Sequence, residues 1–171
     1  MAETRWLDAD EQQAWRAFLT AAHLVLEAVD CQLQRDSGLS RADYEVLVRL
    51  SEAPQRSLRM SELSDRTLFS RSRLSHAVAR LERQGLVARS SCSSDRRGTF
   101  ATLTDPGFAA LAAAAPGHVE TVRRVLLDPL TPTHVEQLRV IATAVQDKLF
   151  EPSPTGEADP TTGDMDQERS S

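Results

Sequence analysis

Apolar side chains recur along most of this chain at helical spacing, and the places where that rhythm breaks define its elements. Asp8, with Glu11 three residues on, opens a first helix as a capping box. Trp15, Phe18, Leu19, Ala22, Leu26, Val29 and Leu33 then fall on one side of it until Gly38 supplies a C-terminal stop. Ser40 and Asp43 open a second helix carrying Tyr44, Leu47, Val48 and Leu50, which ends before Pro54. QRSLR reads as a connecting loop. A short third helix from Met60 to about Arg66 and a fourth from about Arg71 to Gln84 are separated by TLFS, the layout of a helix-turn-helix, with Ser70 as N-cap and Gly85 as stop.

Within the fourth helix Leu74, Ala77, Val78 and Leu81 share one face, leaving Ser72, Arg73, Ser75, His76, Arg80 and Arg83 for the other. The period then switches to strand, turn and strand in LVARSSC, SSDRRG and TFATLT. Asp105 before Pro106 fits the start of a fifth helix through Phe108, Leu111, Val119, Val122 and Leu126, with a kink at Pro116. Thr131 and Pro132 open a sixth, with Val135, Leu138, Ile141, Ala142, Val145 and Leu149 on one face. Residues 151–171 are polar and acidic, rich in Gly and Pro, and read as a disordered tail.

Charge changes the picture. The chain is acidic overall, at −5. Residues 55–100 nevertheless hold ten Arg against four acids, Glu62, Asp65, Glu82 and Asp95. A phosphate feels charge within a Debye length of about 10 Å, so this local excess outweighs the global balance. An isolated basic helix reads as a solvated face; one followed by an Arg-tipped hairpin reads as a major-groove helix with a wing for the backbone or minor groove.

Other chemistry is sparse. There is no nucleophile motif, Gly-rich phosphate loop or paired-carboxylate arrangement, so no enzyme, catalytic residue or cofactor is expected. The four His have no metal-ligand spacing and Cys31 and Cys92 no CxxC, so no metal is expected. With no basic leader and no apolar run long enough for a bilayer, the reading is a cytoplasmic protein that does not enter a membrane.

The order of elements, together with GLSRADYEVLVRL, RMSELSDRTLFSRSRLSHAVARLERQGLV, SSDRRGTFATLTDPG and LTPTHVEQLRVI, resembles the MarR family of bacterial transcription regulators over about residues 10–150. The expected fold is mainly α: a winged helix-turn-helix of six helices plus a β-hairpin wing, dimeric through its terminal helices. The resemblance implies dimerisation helices at residues 8–38 and 105–150, which agrees with their large apolar faces, and a winged DNA-binding part at 39–104. It implies a sequence-specific regulator binding a pseudo-palindrome in double-stranded DNA as a homodimer, most simply a repressor released by a small aromatic or phenolic effector.

Matched onto the family's contacts, Ser70, Ser72, Arg73, Ser75 and His76 face base edges, with Arg73 suited to guanine. Arg71, Arg80 and Arg83 fit phosphates. Asp95 orients a wing arginine, Arg97 enters the minor groove, and Arg96 gives a second contact. Trp15, His23, Tyr44, Leu47 and Phe69 are candidate effector liners, each also readable as plain core. Arg59 stands where relatives commonly carry a Ser or Thr cap, so either it contacts phosphate or Ser61 caps the third helix later. The alternatives are a thiol switch at Cys31 or Cys92, and a protein-interaction module whose basic face docks an acidic partner or the chain's own tail.

Overall fold

The computed structural model describes residues 3–91 and 99–150. In chain order the elements are α1 (Ala9–Ser37), α2 (Arg41–Ser51), β1 (Ser57–Arg59), α3 (Met60–Thr67), α4 (Arg71–Arg83), β2 (Val87–Ser91), β3 (Thr99–Leu103), α5 (Asp105–Val122) and α6 (Pro132–Phe150). Residues up to Pro129 form one compact unit and α6 belongs to another.

Local chemistry sets most of the helix ends. The Asp8 side chain accepts from the Glu11 backbone N–H at 2.8 Å while Glu11 reaches back to the N–H of Asp8, so the expected capping box of α1 is complete. Ser40 and Asp43 form a second one on α2. Ser70 caps α4, and after it the chain leaves the helix through Gly85 in the left-handed conformation at φ 73°, which glycine takes without a Cβ clash.

Three expectations are corrected. QRSLR is not a plain loop. Gln55 and Arg56 take positive φ and turn the chain into β1, which pairs antiparallel with β3 in the register Ser57↔Thr102, Leu58↔Ala101, Arg59↔Phe100. The wing hairpin is thus two strands of a three-stranded sheet in the order β1-β3-β2. Second, Thr104 rather than Asp105 caps α5: its Oγ1 accepts from the Gly107 N–H at 3.0 Å and donates to the Gly85 carbonyl at 2.8 Å. Third, α3 begins directly after Arg59 with no side-chain cap, which leaves Ser61 inside the helix; the Arg59 guanidinium lies 5.4 Å from the Phe100 ring centre. α5 runs through Pro116 to Val122 and then widens into a π-type turn at Arg123–Leu127.

The core lies between α2, α3, α4 and the sheet, floored by the C-terminal half of α1 and by α5. Leu33, Val46, Leu47, Leu50, Leu63, Val78, Leu81 and Ala101 are fully buried, and the expected stripe on α4, Leu74, Ala77, Val78 and Leu81, is the face turned inward. The start of α5 presses close to the turn after α4. A Cβ added to Gly107 would stand 2.0 Å from the Leu86 carbonyl oxygen, which also accepts from the Thr104 N–H at 3.1 Å. Backbone cannot yield there as a side chain can.

Gly107→Ala is therefore expected to lower unfolding stability by about 1–3 kcal/mol, the range for overpacking a tight site. Urea denaturation followed by circular dichroism measures it; an unchanged midpoint would mean that α5 shifts without cost.

Candidate nucleic-acid interface

The helix period of about 100° per residue divides α4 into faces. Opposite the buried stripe stand Ser72, His76 and Arg83, all exposed, with Ala79 half-buried between them. Arg73 and Arg80 occupy the flank turned to α2, and Arg71, Ser75 and Glu82 the flank turned to β2. Ser70 is exposed at the N-terminal end. The structure thus brings together all eight residues assigned to this helix, but not in equivalent settings.

Arg73 is pre-oriented. Its guanidinium lies 4.3 Å from the ring centre of Phe69, a cation–π contact that leaves its N–H donors available. Neither Arg71 nor Arg73 forms an ion pair among the described residues. Arg80, expected at a phosphate, is committed inward instead. Its Nε and Nη2 donate to the carboxylate of Asp43 at distances from 2.6 to 3.0 Å, and Nη2 also reaches Ser40 Oγ at 3.0 Å. The Asp43 side chain is 2% exposed, whereas that of Arg80 is 40% exposed. On the other flank Glu82 pairs with Arg89 of β2, which holds the Glu82 carboxyl below the usual carboxylate range. Asp95, Arg96, Arg97 and Cys92 lie outside the described residues.

The five candidate effector liners do not converge. Leu47 is core, Phe69 is buried beneath Arg73, and Trp15 is exposed on α1, stacked against Phe18. His23 is exposed beside Glu27. Only Tyr44 borders the cleft of about 460 Å³ between α1, α2 and α5, where Arg41, Arg49, Val29, Val122 and His118 join it. The His118 ring centre is 4.5 Å from that of Tyr44, and its Nδ1 is buried without a hydrogen-bond partner, as is Arg49 Nε. Burial pushes the Tyr44 hydroxyl up and the His118 imidazole down from their ordinary pKa values. The sequence reading missed His118. Its signal was periodicity: with Leu111, Ala114 and Thr121 it shares the inward face of α5.

Cys31 is exposed on α1. Among the described residues no group of His, Cys, Asp or Glu is placed to hold a metal ion, and no helix is long and apolar enough to cross a membrane.

A three-stranded antiparallel sheet behind a helix-turn-helix, with the second helix basic and outward, defines a winged helix-turn-helix. The MarR family profile matches residues 37–98. A MarR family transcriptional regulator from Streptomyces coelicolor, solved in complex with DNA, is 50% identical over 88% of this chain and 94% of its own, with a TM-score of 0.84. AbsC, another MarR family regulator of that organism, is 42% identical over 85% of this chain and 98% of its own, with a TM-score of 0.80. This chain belongs to the MarR family of transcriptional regulators. It spans about half the length of the curated relative it matches, the HTH-type transcriptional repressor YetL of Bacillus subtilis, which is 29% identical over 89 residues, 52% of this chain and 53% of that one.

The half-buried imidazole of His118 carries a stability signature. The pKa of His118 is lowered by folding, so the unfolded chain takes up the proton first as pH falls. The contribution is present in full above the ordinary histidine value of about 6.5 and is lost as pH drops from there to the lower folded value. Denaturation midpoints at pH 7.5 and 5.5 should fall less in His118→Phe than in the native chain. An equal fall in both would locate the acid sensitivity in other groups.

Proposed function

We propose that this chain is a homodimeric, operator-specific DNA-binding repressor, and that a small aromatic or phenolic effector releases it. The observation that carries the reading is the outward N-terminal half of α4, where Ser70, Ser72, Arg73, Ser75 and His76 stand clear of the core on a helix fixed by its opposite face. The DNA complex of the relative that is 50% identical supports it, as does the repressor name of the curated relative. In this reading Arg73 pairs with guanine O6 and N7, Arg71 and Arg83 hold phosphates, and Asp95, Arg96 and Arg97 serve the wing.

Dimerisation is supported by apolar surface that a monomer leaves open. The first half of α1 exposes Trp15, Phe18 and Leu19, and α6 exposes Leu138, Val140, Ile141, Val145 and Leu149. These helices and α5 form the dimerisation part, and residues 39–104 the DNA-binding part. A two-fold pair of recognition helices reads half-sites about 34 Å, or 10 base pairs, apart. The cleft beside Tyr44 and His118 takes the effector, with the paired Tyr44 and His118 rings offering an aromatic wall and Arg41 and Arg49 offering positive charge among its lining residues. Such an effector needs only a differential affinity for the two states of the dimer, and a coupling of about 1–3 kcal/mol changes operator affinity 5- to 150-fold.

Two experiments test this. A duplex that the full chain selects from a random-sequence pool is titrated against a scrambled duplex of the same length. Preference for the selected duplex is expected, and Arg73→Ala should weaken that binding by about 1–3 kcal/mol while leaving scrambled DNA almost unaffected. Equal binding of both duplexes by the native chain would reject the operator-reading function. In sedimentation, the native chain should run as a dimer and Ile141→Asp should shift it toward monomer; a native monomer would reject the half-site geometry.

A further inference from the structure

We infer that Arg80 is a positioning residue for sequence reading, a clamp that fixes the roll of α4 against the first turn of α2, rather than a phosphate contact. The inference rests on the DNA-binding reading above and assigns one residue within it. Four donors converge on the Asp43 carboxylate: the Ser40 N–H at 3.0 Å, the Ser40 hydroxyl at 2.6 Å, and Nε and Nη2 of Arg80. A carboxylate has about four lone-pair sites, so Asp43 is saturated and the Arg80 fork is held by two atoms at once.

The rest of α4's attachment is of a different kind. Leu74, Ala77, Val78 and Leu81 bury an apolar stripe, and apolar burial is non-directional; it favours contact without choosing one angle. A roll of about 10° moves a side chain by about 1 Å at the radius of a helix with its side chains. A hydrogen bond works over a window of only about 0.5 Å, so such a roll costs a bidentate base contact its geometry. Arg80 lies two turns beyond Arg73 on the same flank, and so the clamp fixes the angle at which Arg73 is presented. Lysine cannot replace it, because an ammonium lacks the planar fork.

The salt dependence of binding separates the two roles. Asp43→Asn, Arg80→Gln and Arg80→Lys are prepared in the full chain and titrated on the selected and scrambled duplexes at several salt concentrations. Each should lower the ratio of selected to scrambled affinity by about tenfold, the size of one lost directional base contact. Asp43→Asn with Arg80→Gln should lose no more than either alone, since both break the same pair. The slope of log affinity against log salt should stay at the native value in Arg80→Gln, whereas loss of a phosphate contact lowers it by about one.

A reduced slope in Arg80→Gln with Asp43→Asn silent would overturn the inference and return Arg80 to the phosphates. Should the charge-removing variants not fold, Arg80→Lys decides: a native ratio overturns the clamp, and a lowered ratio with a native slope supports it. A native chain without preference for the selected duplex overturns the functional reading and the clamp with it.

Discussion

A carboxylate withdrawn from water needs partners, because an isolated buried charge costs several kcal/mol even after the protein relaxes around it. Asp43 is in that position, with its side chain 2% exposed. Ser40 alone does not neutralise it. The cation comes from α4, 37 residues along the chain, and the charge at the start of α2 is stable only where Arg80 stands. The winged unit is arranged around this constraint. The apolar faces of α2 and α4 close the core, the ion pair fixes where they meet, and the opposite side of α4 is left to solvent. Replacing such a pair by apolar residues would often be as stable, so its value here lies in direction rather than in strength.

The acidity of the chain is a matter of placement. Among the basic residues of the middle segment, several are tied by acids of their own neighbourhood: Arg66 by Glu62, Arg80 by Asp43, Arg89 by Glu82, Arg56 by Asp105. Those ties support the frame. Arg71 and Arg73 at the head of α4 are not spent in this way, so the outward field is concentrated at the end of the helix that carries Ser70 and Ser72. Counting arginines finds this segment, but it does not separate those paired with a nearby acid from those left unpaired, among the described residues, at the head of α4.

What was legible in the sequence was what is decided locally. The capping boxes at Asp8–Glu11 and Ser40–Asp43, the Ser70 cap, the stop at Gly85 and the stripe on α4 all follow from residues within a turn of each other. β1 was not legible, since three residues are too few to show an alternation and their strand character comes from pairing with β3, more than forty residues away. Thr104 and Asp105 are both good caps by type, and only the approach of α5 to the Gly85 carbonyl selects the threonine. Arg80 sat on the polar side of a helix, where sequence cannot distinguish a solvated arginine from one turned to a distant acid. The same limit dispersed the candidate liners: Leu47 and Phe69 are apolar enough for a pocket and are core, while the cleft recruits His118 from a helix with few polar residues.

The first turn of α2 stands between the Arg80 ion pair and the cleft. Ser40 and Asp43 hold Arg80, while Arg41 and Tyr44, their immediate neighbours, border the cleft toward α1 and α5. The Arg41 N–H donates in turn to Asp30 of α1 at 2.7 Å, so this turn is tied to α1 on one side and to α4 on the other. Successive residues of a helix point about 100° apart, and a rigid turn cannot move one pair without the other. If the cleft takes the proposed effector, a molecule seated against Tyr44 and Arg41 would press on the same turn that holds Arg80. Reciprocity follows from linkage: if occupancy of the cleft weakens operator binding, the operator weakens occupancy by the same factor.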